Sequence, residues 1–420
     1  MRGKSAHREG PGQALIANFL EIGDTGSVSD QPNFAVALSV NPDPVSAATE
    51  AARQITRQLA GTPVTLAVVF VSPGLCTDPW SLLDALHTEL SPEHLIGCMG
   101  EAIIGEGREI EGTPALSLWC ASLPDVGVET FRLTMASVEG GDEIVGWPER
   151  VDGADPDTTP MIVLADPFTL PADLMLDQHN ARSRQAIIGG LASGGRRPGE
   201  HVVFHNRDIH FDGGVGVVLP GAPIVTVVSQ GCAPIGPDMV ITAGGGPVVA
   251  ELAGTNAFDK ITRVVDELDH DERLLLRQPL LAGLVINENQ PEYGRGDFLV
   301  RGIHGRDPDT GAVYIGEHVR IGQTFRLHVR DARSADEDLR LALHETRAHS
   351  DRQTPAAALL FSCNGRGTHM FGTPHHDAAA IADELGIPTA GLFCNGEIGP
   401  VGGTTFLHGF TATMAVFLRT

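Results

Sequence analysis

Lysine is almost missing from this chain. Of 420 residues only Lys4 and Lys260 carry an ammonium side chain, so nearly all positive charge is arginine. No Gly-x4-Gly-Lys-[Ser/Thr] run occurs, which excludes a P-loop. Schiff-base chemistry would rest on Lys260, which stands in the helical run "AFDKITRVVDEL" and suits a solvated surface there. Basic charge is scarce overall: the net charge is -24. A dense basic face for nucleic acid is therefore excluded, as is attraction to an anionic membrane. Long apolar runs are lacking too, since none approaches the roughly 18 residues of a membrane helix. The segment "ALIANFLEIGD" is short, ends in Glu21 and Asp24, and has no small-residue cleavage site behind it. A signal peptide is not expected, and the expected location is the cytoplasm. The six cysteines form no Cys-x-x-Cys pair, which speaks for reduced thiols rather than a disulfide framework or a zinc ribbon.

What is present is an α/β pattern at a length that favours two domains. Residues 1–33 are rich in Gly, Pro, Ser and charge and read as a flexible arm. Folding is expected to begin at "FAVALSV", followed by a helix whose apolar positions Val45, Ala48, Ala52, Ile55 and Leu59 keep a helical spacing. Three segments then resemble one another. "TLAVVFVSPG", "MIVLADPF" and "AALLFSCNGRG" each read as a buried strand ending in a polar turn. Each continues into a helix, a second strand with a glycine turn, and a hairpin. The intervals are similar: Ser72 to Gly97, Asp166 to Gly189, Ser362 to Gly391. The expected architecture is mixed α/β, with internally repeated strand–helix–strand–hairpin units forming mixed sheets flanked by helices.

Residues 221–350 differ. "DMVITAGGGPVVAELAG" predicts a hairpin turning at Gly244-Gly245-Gly246, and "DFLVRGIHGRDPDTGAVYIGEHVRIGQTFRLHVRD" predicts an antiparallel meander. "RSADEDLRLALHETR" predicts a helix opened by a Ser334-x-x-Glu337 capping box. The domain boundary is expected near Leu219-Pro220-Gly221, giving domains 34–220 and 221–420.

The glycine runs "GGLASGG", "GGGPVVAELAG" and "GPVGGTT" lead into strands, which speaks against a dinucleotide fingerprint. Cys363 ends a strand beside Arg366 and His369, but the arginine stands three residues on, not six as in a phosphatase loop. A cysteine-dependent enzyme using Cys363 is one reading; a buried or pocket-wall thiol is the other. Cys363, His369, His375, His376 and Cys394 follow no metal-ligand spacing.

The paired turns carry more chemistry. Ser362, Cys363, Asn364 and Arg366 follow one strand of the third unit, and Asn395, Gly396 and Glu397 follow the next. Parallel neighbouring strands would open both turns at one sheet edge, where α/β sheets bind ligands. Arginine suits a carboxylate, and glutamate with asparagine suits an amine. These residues are candidate ligand contacts for a small zwitterion such as an amino acid. Glu101 echoes them in the first unit. The alternative is that Arg366 and Glu397 only pair with each other.

At these residues a family resemblance appears. "FSCNGRG", "PTAGLFCNGEIGP" and "FLHGFTATMAVF" resemble the end of the FIST C domain, and "VSQGCAPIGPDMVITAGGGPVVAELAGTNAFDKI" its earlier part. "LAVVFVSPGL", "LIGCMGEAIIGEGREIEG" and "AIIGGLASGG" resemble the FIST N domain. The resemblance spans about Phe34 to Phe417. It implies a non-catalytic sensory protein that binds a small ligand in signal transduction. No output domain is recognised beside it, so a separate signalling partner is expected. The resemblance also admits a haem-linked gas sensor, although no histidine here matches an axial ligand.

Overall fold

The computed structural model describes residues 32–149, 159–276, 278–294, 296–348 and 353–419. The expected N-terminal arm lies outside them except for Pro32 and Asn33. Local sequence explains most elements. The helix Pro44–Gln58 starts where Asp43 accepts a hydrogen bond from Ser46 N at 2.8 Å, with proline in its first turn. It buries Ala47, Ala48, Ala51, Ala52 and Ile55 as one stripe.

Three mixed sheets share one strand order. In the first, Leu66–Val71 pairs parallel with His94–Met99 and antiparallel with Leu116–Ser122. In the second, Met161–Ala165 pairs parallel with Ile187–Leu191 and antiparallel with Gly214–Val218. In the third, Thr354–Cys363 pairs parallel with Thr389–Cys394 and antiparallel with Thr411–Arg419. The continuous apolar runs of these central strands reflect burial on both faces.

The hairpins do not stay with their own sheets. Ile103–Gly105, from the first segment, pairs with Thr389–Cys394 of the third sheet. Val203–His205, from the second, pairs with His94–Met99 of the first. Glu397–Val401, from the third, pairs with Ile187–Leu191 of the second. Each sheet is completed by a hairpin from another, in a closed cycle. One apolar cluster joins all three, with Val68 and Phe70, Leu164 and Val217, and Phe361, Leu392 and Phe417 among its buried members.

The remaining sheet closes on itself. Cys232–Leu252, Val313–Val319, Phe298–Arg306, Leu280–Val285 and Thr324–Arg330 follow one another, and the last pairs back with the first. The expected meander is here. The expected hairpin at Gly244–Gly246 is not: Cys232–Leu252 is one continuous strand of 21 residues. Gly244 and Gly246 have φ of 151° and 55°, so they bend the strand around the barrel where a side chain would be strained. The helix Ala257–Glu267 adds Ala257, Ile261 and Val264 to the barrel core.

The helix Ala332–Ala348 also starts differently from expectation. Asp331 accepts from Ser334 N at 2.8 Å and from Ser334 Oγ, so Ser334 lies inside the first turn and does not cap it. The expected domain boundary near 219–221 falls in the turn between Gly214–Val218 and Ile224–Gln230.

Candidate functional site

The strand ends of the third sheet meet as the parallel pairing requires. Cys363 is in register with Cys394, and Asn364 N donates to Cys394 O at 3.0 Å. The turns 364–366 and 395–397 therefore leave the same end of the sheet. Asn364 and Asn395 are exposed, while Arg366 and Glu397 are buried.

Arg366 and Glu397 each have another partner. The Arg366 fork grips Asp377 in the first turn of the helix His376–Glu384: Nε meets Oδ2 at 2.7 Å and Nη2 meets Oδ1 at 2.8 Å. Ser362, also buried, donates its hydroxyl to Asp377 Oδ2 at 2.9 Å. Burial opposes the Asp377 charge, but Arg366 and these hydrogen bonds outweigh it and hold the carboxyl well below its usual range. Arg366 Nη1 is buried with no hydrogen-bond partner. Glu397 accepts from Thr411 N at 3.0 Å and Thr411 Oγ1 at 2.7 Å. Burial pushes its carboxyl up to about 7. Gly396, at φ 150°, turns the chain beside it.

Cys363 is half-buried, and burial with the Glu397 carboxyl pushes its thiol up to about 12. A nucleophilic cysteine needs the opposite shift. Glu101 is exposed; its N–H donates to Ser193 Oγ at 2.7 Å, and that hydroxyl donates to Phe393 O, which places Glu101 beside the strand that ends at Cys394.

Several residues were not found by sequence reasoning. Asp377 is one; an acidic residue in a first helical turn just beyond a strand-end arginine was the available signal. Glu109 is another. It comes from the exchanged first hairpin, and its Oε1 accepts from Ala378 N at 3.0 Å. Burial, then the Asp377 charge, raises its carboxyl to about 7, and its Oε2 has no partner. Arg330, at the end of a barrel strand, donates Nη2 to Gly365 O and lies over the Phe410 ring at 4.9 Å. No local signal links Glu109 or Arg330 to the turn.

The second sheet has its own buried carboxylate. Asp166 Oδ1 meets His201 Nδ1 at 2.7 Å, and Oδ2 accepts from Thr169 Oγ1 at 2.5 Å. Gly195 N donates to His201 Nε2 at 3.0 Å, which places the ring proton on Nδ1. Phe168 stacks on His201 with centroids 5.4 Å apart.

Residues 65–255 match the FIST N domain and residues 257–400 match the FIST C domain. The chain belongs to the FIST family. FIST domains are associated with sensory signalling. This FIST protein is 42% identical over 387 residues to the uncharacterized protein Rv0628c of Mycobacterium tuberculosis, covering 92% of this chain and 99% of that one. It is 41% identical to the uncharacterized protein Mb0898c of Mycobacterium bovis, covering 92% and 98%. Among solved structures, PurLQS from Thermotoga maritima aligns at 13% identity with a TM-score of 0.24, covering 94% of this chain and 74% of that one. At that score the likeness carries no argument about fold or function. No helix among the described residues is long and apolar enough to cross a membrane.

Proposed function

We propose that this FIST protein is a cytoplasmic, non-catalytic sensor that binds a small ligand at the third-sheet turn and signals through a separate protein partner. The ligand is a small molecule with a carboxylate, such as an amino acid. One observation carries the reading. Arg366 is 1% exposed, uses Nε and Nη2 on Asp377, and leaves Nη1 without an acceptor. A buried charged donor left unmatched is costly, and an incoming acceptor relieves that cost. The raised Cys363 thiol favours pocket wall over nucleophile.

A thermal-shift screen of amino acids and other small acids tests this. A ligand at a hundredfold its Kd stabilises the protein by about 2.7 kcal/mol. In Arg366→Lys, which keeps a charge for Asp377 but removes Nη1, the shift should vanish. A ligand shift of equal size in that variant contradicts the assignment.

A further inference from the structure

A cavity of about 260 Å³ lies beside this turn. It is small against the roughly 300–1,000 Å³ that accommodates drug-sized ligands, so its occupant has few heavy atoms. Its lining is two-sided. Leu274, Leu275 and Met370 supply apolar surface; Arg330, Asp331, Gln278 and His369 supply polar groups. Three elements meet there: the end of the helix His270–Leu275, the first turn of Ala332–Ala348, and the short helix Gly367–Phe371.

Arg330 ties the cavity to the turn. Its Nη2 donates to Gly365 O, and a Cβ on Gly365 would stand 2.8 Å from that nitrogen, so a side chain there would displace the guanidinium. Phe410 backs the same guanidinium. Arg330 Nε is buried and has no partner. Behind the wall, Asp331 N donates to Gly231 O at 3.5 Å. A Cβ on Gly231 would lie 3.1 Å from the unmatched Arg366 Nη1. Two arginines with unmatched donors thus flank one short stretch of backbone. Asp331 next to Arg330 uses Oδ2 on Ser334 and caps the helix.

We infer that this cavity is the ligand chamber, and that it takes a small aliphatic carboxylate. The inference rests on the ligand-binding reading above and gives the carboxylate a second arginine, Arg330, which lines the cavity, beside Arg366. The carboxylate faces Arg330, whose position on Phe410 and Gly365 is set before binding. The aliphatic tail lies on Leu274, Leu275 and Met370. Asp331 adds a preference for an ammonium group on the carbon next to the carboxylate. Because the lining comes from both the barrel side and the third-sheet side, occupancy ties those two parts together.

Isothermal titration calorimetry of the full chain with L-leucine, 4-methylpentanoate and L-glutamate tests the inference. L-Leucine should bind more tightly than 4-methylpentanoate, and L-glutamate should bind weakest. Arg330→Met should weaken L-leucine by about ten- to a hundredfold, the range for a charge-assisted contact. Leu275→Trp, which fills the apolar end while keeping Arg330, should abolish binding. Unchanged affinity in both variants overturns the chamber. So does a carboxylate shift that needs Arg366 but not Arg330, although the sensory reading then stands. If neither these acids nor a broader panel binds, both fall.

Discussion

Asp166 and Asp377 are both fully buried carboxylates at the ends of equivalent parallel strand pairs, yet their surroundings differ. At the second sheet, Asp166 is answered by His201, Thr169 and the Phe168 N–H, and His201 is answered in turn by Gly195. Every side-chain polar atom of the Asp166–His201 pair has a partner. At the third sheet, Asp377 is equally well answered, but its arginine keeps one donor unmatched, and neighbouring Glu109 and Arg330 each keep one unmatched atom. A closed network is a structural fastening. An open one leaves hydrogen-bonding capacity for something that is not part of the chain.

The largest expected effect tests whether the third-sheet pair is also a fastening. Asp377→Ala strands a buried guanidinium and should cost about 3–5 kcal/mol in urea unfolding. Arg366→Met combined with Asp377→Leu should recover much of that loss, because the uncompensated charge is gone. A loss below about 1 kcal/mol in the single variant would mean that water reaches Arg366 readily.

The next effect is pH dependence. Glu109 and Glu397 both sit at about 7, above the usual 4.5, so the folded state keeps their protons longer than the unfolded chain. The stability they add is complete below about 4.5 and is lost as pH rises to about 7. The span corresponds to the order of 3 kcal/mol per carboxyl. Asp377 works in the opposite sense: its contribution is present above the usual aspartate range and is lost on acidification. Stability should therefore peak in mildly acid solution. Glu397→Gln should flatten the alkaline side of the profile, measured by chemical unfolding between pH 4 and pH 8. A profile that rises steadily to neutrality contradicts the raised carboxyls.

The smallest effect is at the closed site. Asp166→Asn keeps the shape and should cost about 1–3 kcal/mol, through one disturbed hydrogen bond to a buried partner. It should leave ligand-induced thermal shifts unchanged. A lost ligand response in this variant would erase the distinction between the two strand ends.

Much of the fold was readable in the residues. Buried runs such as "LAVVFV" and "AALLFSC" marked the central strands, and the alanine stripe of Pro44–Gln58 marked its helix. The turns carrying Asn364, Arg366, Asn395 and Glu397 were correctly placed at one sheet end, because parallel neighbours leave no other geometry. The alternative pairing of Arg366 with Glu397 does not occur. Glu397 follows a neighbouring strand, but its carboxyl turns to Thr411, and Arg366 turns to a helix that begins ten residues later. Gly244 and Gly246 signal positive φ, and positive φ serves a bent strand as well as a hairpin.

By itself the sequence determined what acts over a few residues: apolar periodicity, helix starts, turn chemistry, and the family to which these motifs belong. Those follow from side-chain pattern and backbone preference, which are local. Tertiary structure alone decided which sheet edge each hairpin completes. Every such edge offers the same backbone donors and acceptors, so only packing selects among them. That choice brings Glu109 from the first segment to Asp377 in the last, and the closure of the barrel sets Arg330 against Gly365. The candidate site depends on those two long-range contacts.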